Sequence, residues 1–392
     1  MSSVVASLVH RISFNQVGAA FIVLAGLLGI QQILMHHINN YLMFSRPFFN
    51  LIEGKDLYLD YPNYYLDIYK YSPAFALLFA PLSLMPDEAG IVVWNMINAA
   101  VLITALKYFI KDDRLTVYAL LIVLLEAVTS LQNLQSNCLL AGLIILTYTN
   151  LRKRNIVWAA VSVSLAAYIK IYGIAAAAFA IFFKERFRFG FVGLLSLLLL
   201  FLAPLLVLDL DVLILNYKSW MKVVGSSATR SQISVMGILQ TWFGWTGSFR
   251  AVQAAGALIV VAPLAQAGKW KEHHFQQLYV ASILMFVVLF NQMAESPTYV
   301  IALSGVAIWF LSFERPSALD IGLLVLVLLV TSLSSTDLFP KYLREHFVKP
   351  YTLKAVPVLL VWIKVQWQLW HAGDTVAYRA FSRSDPDDLT LS

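Results

Sequence analysis

The sequence predicts an all-α polytopic membrane protein with about twelve transmembrane helices, and three observations carry that prediction. Of 392 residues, 60% are hydrophobic and 13% charged, with a mean hydropathy of +0.73; soluble domains carry about a quarter charged residues. Apolar runs of about 20 residues, the length that spans a bilayer as a helix, recur from near the N-terminus to near the C-terminus. Runs such as Phe191 to Leu208 do not alternate as barrel strands do, and in lipid such a run satisfies its own backbone only as a helix. Finally, basic residues gather in short gaps: Lys107, Lys111 and Arg114; Arg152, Lys153 and Arg154; Lys184, Arg186 and Arg188; Lys269 and Lys271; Arg315. Positive residues in short loops mark the cytoplasmic side, so these gaps orient the spans.

The elements follow in order. His10 and Arg11 precede an apolar stretch from about Val17 to Met35, too long for a signal-peptide core and without a small-residue cleavage site. It reads as the first span, N-terminus cytoplasmic. Asn39 to Ser72 is then an external loop, and Pro73 to Pro86, fourteen residues bounded by prolines, a re-entrant or surface helix. Gly90 to Lys107 returns inside, Leu115 to Leu131 goes out, and Asn137 to Asn150 comes back. The block Ile156 to Phe183 has basic clusters on both flanks, which predicts two short helices bent near Lys170-Ile171-Tyr172-Gly173. Arg188 to Leu208 goes out to a second external loop at 209–232, and a return span ends near Gly268. Further spans cover about Phe275 to Phe290, Pro297 to Phe313, Ile321 to Ser334 and Ala355 to Trp370. The expectation is one multi-span domain over 1–370 in the cell (inner) membrane, surrounded by membrane lipids, with a short polar cytoplasmic tail at 371–392, disordered beyond about Ser382.

Composition and motifs exclude several classes. The net charge of +6 lies in the inter-span gaps, which argues against a nucleic-acid partner. Cys138 is the single cysteine and forms no internal disulfide. There is no Walker loop, no G-x-G-x-x-G opening a helix and no G-x-S-x-G. A membrane enzyme without a soluble activated donor must take its activated group from lipid. His273-His274 sits beside Lys269 and Lys271 without acidic ligand spacing, and carboxylates are too scattered to suggest a metal. No metal and no cofactor are expected.

Candidate chemistry converges on the outer face. Asn39 to Pro73 holds four carboxylates, three basic residues and seven tyrosines. It brings Arg46, Asp67 and Lys70, while span ends deliver Glu126, Gln132, Asn133, Gln135 and Asn137 from one corner and Asn291, Gln292 and Glu295 from another. Lys170 sits at the hairpin bend, deep in apolar sequence, where a phosphate or carboxylate partner is favoured over snorkelling. Glu126 either pairs with a basic group between helices or faces the site, and Glu295 either caps the next helix or acts chemically. Glu53, Asp56 and Asp60 read as ordinary loop acids. Asp67, among Tyr65, Tyr69, Lys70 and Tyr71, reads as functional. The tyrosines are more than an interfacial belt requires, and aromatic faces suit sugar rings.

The landmarks Asn40-Tyr41, the helix around Phe44 to Ile52, Gly54, Leu57-Tyr58 and Tyr71-Ser72-Pro73 follow the order of a known first external loop. With Trp94-Asn95, the Gln135-Ser136-Asn137 turn and the helix leading to Lys170, the pattern over about Asn39 to Phe313 resembles the polyprenyl-phosphate-mannose-dependent mannosyltransferases of the glycosyltransferase C superfamily. The resemblance implies an inverting hexosyltransferase that moves a mannose-like sugar from a polyprenyl-phosphate donor to a lipid or glycan acceptor on the outer face. It departs in one place: Asn39-Asn40 stands where such enzymes carry an aspartate, and an amide cannot be a general base. Either the base has moved, to Asp67 or Glu295, or this chain has another activity. On the implied mechanism Lys170, Lys70 and Arg46 hold the donor phosphate, and Asn40, Tyr69, Tyr71, Glu126, Gln135 and Asn137 contact substrate.

Two other classes compete. A lipid-linked sugar flippase or permease would show two similar halves with matching broken helices; no such symmetry is visible, and the polar residues gather at one face. An inert membrane subunit would account for the hydrophobicity and not for the loop.

Overall fold

A computed structural model describes residues 13–225, 233–371 and 379, and among these the chain is helical, without a strand. The N-terminal flank with His10 and Arg11, positions 226–232 of the second loop, and the tail beyond 371 (apart from 379) lie outside the described residues.

Helix α1 (Phe14–Leu34) opens on a capping box: the Ser13 hydroxyl accepts from the Gln16 N–H while the Gln16 side chain accepts from the Ser13 N–H. The polar stretch after α1 begins as a helix, the amphipathic α2 (Asn39–Ile52), and the single helix expected at Pro73 to Pro86 is two short helical segments, Pro73–Leu78 and Ala80–Ser83. Then α3 (Asp87–Ile110) and α4 (Asp113–Gln132) pack against α1. Asn95 ties all three, its Nδ2 donating to Ala25 O at 3.2 Å and Leu131 O at 3.1 Å. In an apolar bundle such an amide needs those bonds, because an unpaired buried donor costs about 1–3 kcal/mol.

Helix α5 (Asn137–Arg152) runs back to a basic turn, and α6 (Ile156–Ile169) rises again. The predicted break falls at Lys170, whose backbone is extended (φ −143°, ψ 122°). The return arm, Ile171–Phe182, is a twelve-residue 3-10 helix rather than the expected α-helix. Fourteen α residues rise about 21 Å, and twelve 3-10 residues fall about 24 Å. Both basic flanks therefore sit at one level and Lys170 at the tip. Gly173 makes the reversal possible: a Cβ there would lie 2.5 Å from the Ala166 carbonyl oxygen.

Helix α7 (Arg186–Leu202) buries only Phe189 and Gly193 and presents the rest of its surface outward. The expected second loop is largely helix, α8 (Leu210–Gly225), because Leu213, Asn216, Tyr217 and Trp220 recur at helical spacing and bury one face. That face lies on the first loop: Asn216 Oδ1 accepts from Leu57 N–H at 2.9 Å, and Trp220 Nε1 donates to Lys70 O at 3.2 Å. After α9 (Val235–Phe243) and α10 (Phe249–Val261), helices α11 (His273–Leu289) and α12 (Tyr299–Leu311) are buried along most of their length and form the centre of the bundle. Helix α13 (Ala318–Leu326) runs on through π and 3-10 turns to Ser335, and α14 (Val356–His371) packs on α11.

Among the described residues five helical stretches suffice, by length and composition, to cross a membrane: Phe14–Leu34, Asp87–Ile110, Asp113–Gln132, Arg186–Leu206 and Ala318–Ser335. Five shorter apolar helices accompany them: Ile156–Ile169, Ile171–Phe182, Phe249–Ala265, His273–Leu289 and Ser296–Leu311. The protein is a polytopic membrane protein, helical throughout its described secondary structure.

Candidate active site

The basic turns open helices that end together. Helix α4 starts beside Arg114, α6 beside Arg154 and α11 beside Lys271. At or just past their far ends, Gln135, Lys170, Phe286, Val287 and Phe290 line one cavity of about 630 Å³. Asn40 and Met43 of α2 and Asp67, Lys70 and Tyr71 of the loop complete one side of it. Val224, Ala254, Ala257, Phe286, Val287 and Phe290 form an apolar wall on another. One chamber thus joins a charged end to an apolar end.

Lys170 projects from the hairpin tip. Its Nζ donates to Asn137 Oδ1 at 2.7 Å and lies 5.9 Å from the centre of the Tyr71 ring. Asn137 in turn donates from Nδ2 to Pro297 O at 3.0 Å, so it links the lysine to the turn that carries Glu295. Ser72 fixes the loop to the hairpin: its hydroxyl donates to Tyr168 O at 2.6 Å and accepts from Phe75 N–H at 3.1 Å, capping the short helix. Tyr71 donates to Gln135 Oε1 at 3.3 Å. Burial pushes the Tyr71 phenol above its ordinary value, and the carboxylates of Glu295 and Asp67 push in the same direction. It therefore remains a donor at neutral pH.

The two carboxylates are held differently. Asp67 sits at φ +83°, a conformation that non-glycine residues seldom adopt and that surrounding structure must impose. Asn39 supplies part of it: Oδ1 accepts from Leu66 N–H at 2.7 Å and Nδ2 donates to Leu66 O at 3.0 Å. Asp67 Oδ2 pairs with Lys70 Nζ at 2.7 Å, and Oδ1 accepts from Ile68 N–H at 2.7 Å. Glu295 opens on the cavity and also caps the 3-10 turn Ser296–Thr298: its side chain accepts from the Thr298 N–H, and its own N–H donates to Thr298 Oγ1 at 3.2 Å. The capping and the chemical readings of Glu295 are thus compatible.

Asn291 and Gln292 line the cavity; of the residues given a catalytic, phosphate or substrate role from sequence, Asn40, Asp67, Lys70, Tyr71, Gln135, Lys170 and Glu295 line it as well, and Asn137 touches it through Lys170. Three do not. Arg46 pairs with Asp87 and lines a separate cavity with Phe49, Glu53 and Tyr64, on the other side of α2. Tyr69 is fully buried, its hydroxyl donating to Ser72 O at 3.2 Å. Most of the loop tyrosines likewise fold inward; Tyr58 is buried and donates to Tyr71 O at 2.7 Å. Glu126 is buried against Lys354, whose Nζ donates to Oε1 at 2.8 Å and Oε2 at 3.1 Å. Asn40 uses its Nδ2 on the Asn133 carbonyl at 2.9 Å. Lys354 was missed, because one lysine in a moderately polar stretch does not announce a partner 228 positions away. Among the described residues no three His, Cys, Asp or Glu side chains gather as metal ligands.

The model of one protein family, glycosyltransferase family 87, matches residues 69–336. No curated protein matches the chain.

Proposed function

The chain belongs to glycosyltransferase family 87 and is a membrane glycosyltransferase; from that premise we propose that it is an inverting hexosyltransferase drawing a mannose-like sugar from a polyprenyl-phosphate donor. The observation that carries the reading is the single cavity in which two lysines and two carboxylates face an apolar wall. A polyprenyl-phosphate sugar has the matching division, a prenyl chain for Ala254, Ala257, Phe286 and Phe290 and a phosphate for Lys170 and Lys70. The acceptor is a lipid or glycan hydroxyl entering from the outer face, the side away from the basic turns. Among the described residues the five long and five shorter apolar helices, with α14, make eleven, and the proposal takes the count to about twelve crossings of the cell membrane, an even number that leaves both termini cytoplasmic.

Glu295 is the general base in this reading. Both oxygens of Asp67 are engaged, by Lys70 and by the Ile68 N–H, so Asp67 organises Lys70 for the phosphate. The Glu295 carboxylate takes the proton of the acceptor hydroxyl as its oxygen attacks the anomeric carbon. The bond from that carbon to the phosphate oxygen breaks, the lipid phosphate leaves between Lys170 and Lys70, and the centre inverts. General-base help is worth about 10²–10⁴-fold, and fixed cations at the departing oxygen stabilise the charge that develops there. Phosphate leaves as an anion, so a second carboxylic acid is not needed to protonate it.

The test uses purified protein in detergent, radiolabelled polyprenyl phosphate mannose and a membrane lipid extract. Wild type should place label in a new product, and Glu295→Gln should slow this by about 10²-fold or more while still binding donor. Donor binding without transfer of mannose, glucose or arabinose by wild type would move the reading to a lipid-linked sugar flippase.

A further inference from the structure

Lys354 is buried and has every ammonium proton engaged. Besides the Glu126 carboxylate, Nζ donates to Ser296 Oγ at 2.7 Å and Ser335 Oγ at 2.5 Å, and it lies 5.2 Å from the centre of the Tyr299 ring. Its own backbone carbonyl accepts from Thr331 Oγ1 at 2.8 Å. A buried ion pair of this kind is a poor source of stability, since well-packed apolar residues often do as well or better. Its placement has another consequence. Ser296 follows Glu295 directly and begins the turn that Glu295 caps. The same turn is held from the cavity side at Pro297 O by Asn137, the residue bonded to Lys170. The turn is thus fixed from behind by a buried cation and from in front by the partner of the phosphate-facing cation.

We propose that Lys354 is a positioning residue for the transfer reaction: through Ser296 it fixes the height and direction of the Glu295 carboxylate in the cavity, and Glu126 neutralises the lysine so that it can do so from inside the bundle. The proposal rests on the reading of Glu295 as the base. Misplacing a reacting group by about 1 Å costs on the order of 10²-fold in rate, so a loose turn should be visible in kcat.

The experiment measures kcat, donor dissociation constant and thermal unfolding for wild type, Ser296→Ala, Lys354→Met, Glu126→Gln and the double variant Glu126→Gln/Lys354→Met. Ser296→Ala leaves the ion pair in place and should lower kcat about 10- to 100-fold, with donor affinity changed less than about threefold. Lys354→Met and Glu126→Gln should each unfold at lower temperature. The double variant, having no lone buried charge, should regain stability while its kcat stays low. In a Glu295→Gln background Ser296→Ala should have no further effect on the residual rate. Recovery of kcat together with stability in the double variant, or a full rate in Ser296→Ala, overturns the positioning role and leaves the site reading intact. A wild type that transfers nothing, or a Glu295→Gln variant within about threefold of the wild-type rate, overturns the site reading and the positioning role with it.

Discussion

Replacing Lys170 by methionine should remove a phosphate contact while leaving the fold in place. The folded protein loses the 2.7 Å bond to Asn137 and the approach to the Tyr71 ring. A net hydrogen bond contributes about 1 kcal/mol and a cation over an aromatic face about 0.5–1 kcal/mol. Methionine keeps most of the stem, so a cost of about 1–2 kcal/mol is expected, small enough for a bundle of this size to remain folded. The reaction loses more. A hydrogen bond to a charged group is worth about 1.5–3 kcal/mol, which converts to a fall in kcat/KM of about 10- to 150-fold at 1.4 kcal/mol per decade. Because charge grows on the departing phosphate, part of the fall should appear in kcat and not only in KM. Lys170→Arg, which keeps the charge, should return part of the rate. Initial rates over a range of polyprenyl phosphate mannose concentrations, with thermal unfolding of the same preparations, measure both quantities. A folded Lys170→Met with kcat/KM within about threefold of wild type would refute the assignment of this lysine to the phosphate, since the minimum expected effect is about tenfold.

Three other substitutions test the scaffold. Gly173→Ala drives a Cβ to 2.5 Å from the Ala166 carbonyl, and since backbone cannot step aside as a flexible side chain can, the tip must open; a stability loss of about 1–3 kcal/mol in thermal unfolding should accompany a large loss of transfer. Asn39→Ala removes both bonds to Leu66 and should lower transfer about tenfold or more as Asp67 relaxes from φ +83°; unchanged kinetics would show that the loop holds itself. Arg46→Met should leave transfer within about threefold of wild type while lowering stability by about 1 kcal/mol or less, because its guanidinium serves Asp87 in a half-exposed pair; a hundredfold fall in transfer would restore Arg46 to the phosphate.

Several helix boundaries could be read closely from the sequence because lipid leaves a long apolar run few alternatives. The run expected at about Phe275 to Phe290 is helix His273–Leu289, and the one expected at Ala355 to Trp370 is Val356–His371. The bend at Lys170 was legible for the same reason, since a charge flanked by apolar arms with basic ends has one sensible place to go. The 3-10 form of the return arm was not: an alanine-rich stretch favours an α-helix by propensity, and nothing in its composition signals the tighter winding. Convergence of Asp67, Lys70, Lys170 and Glu295 followed from topology alone. What topology could not supply was which side of α2 each residue faces, or which of the loop tyrosines turn inward. Tyr69 and Tyr71 are two residues apart, yet only Tyr71 lines the cavity. Glu126 divides evenly between its two readings until its partner is known, and that partner is 228 positions along the chain.

If the proposed reaction holds, the equal number of lysines and carboxylates on the cavity wall sets how tightly the spent carrier is held. Asp67 and Glu295 against Lys70 and Lys170 sum to zero charge, so a donor diester with one negative charge enters a balanced chamber. On the proposed reaction the acceptor proton goes to Glu295, and the chamber becomes positive by one charge at the moment the carrier turns into a phosphate monoester of about −1.5 to −2. The product is therefore gripped more tightly than the substrate that made it. On that reaction the spent carrier competes with the donor that replaces it, so added polyprenyl phosphate should inhibit transfer at concentrations below those at which the donor half-saturates the enzyme.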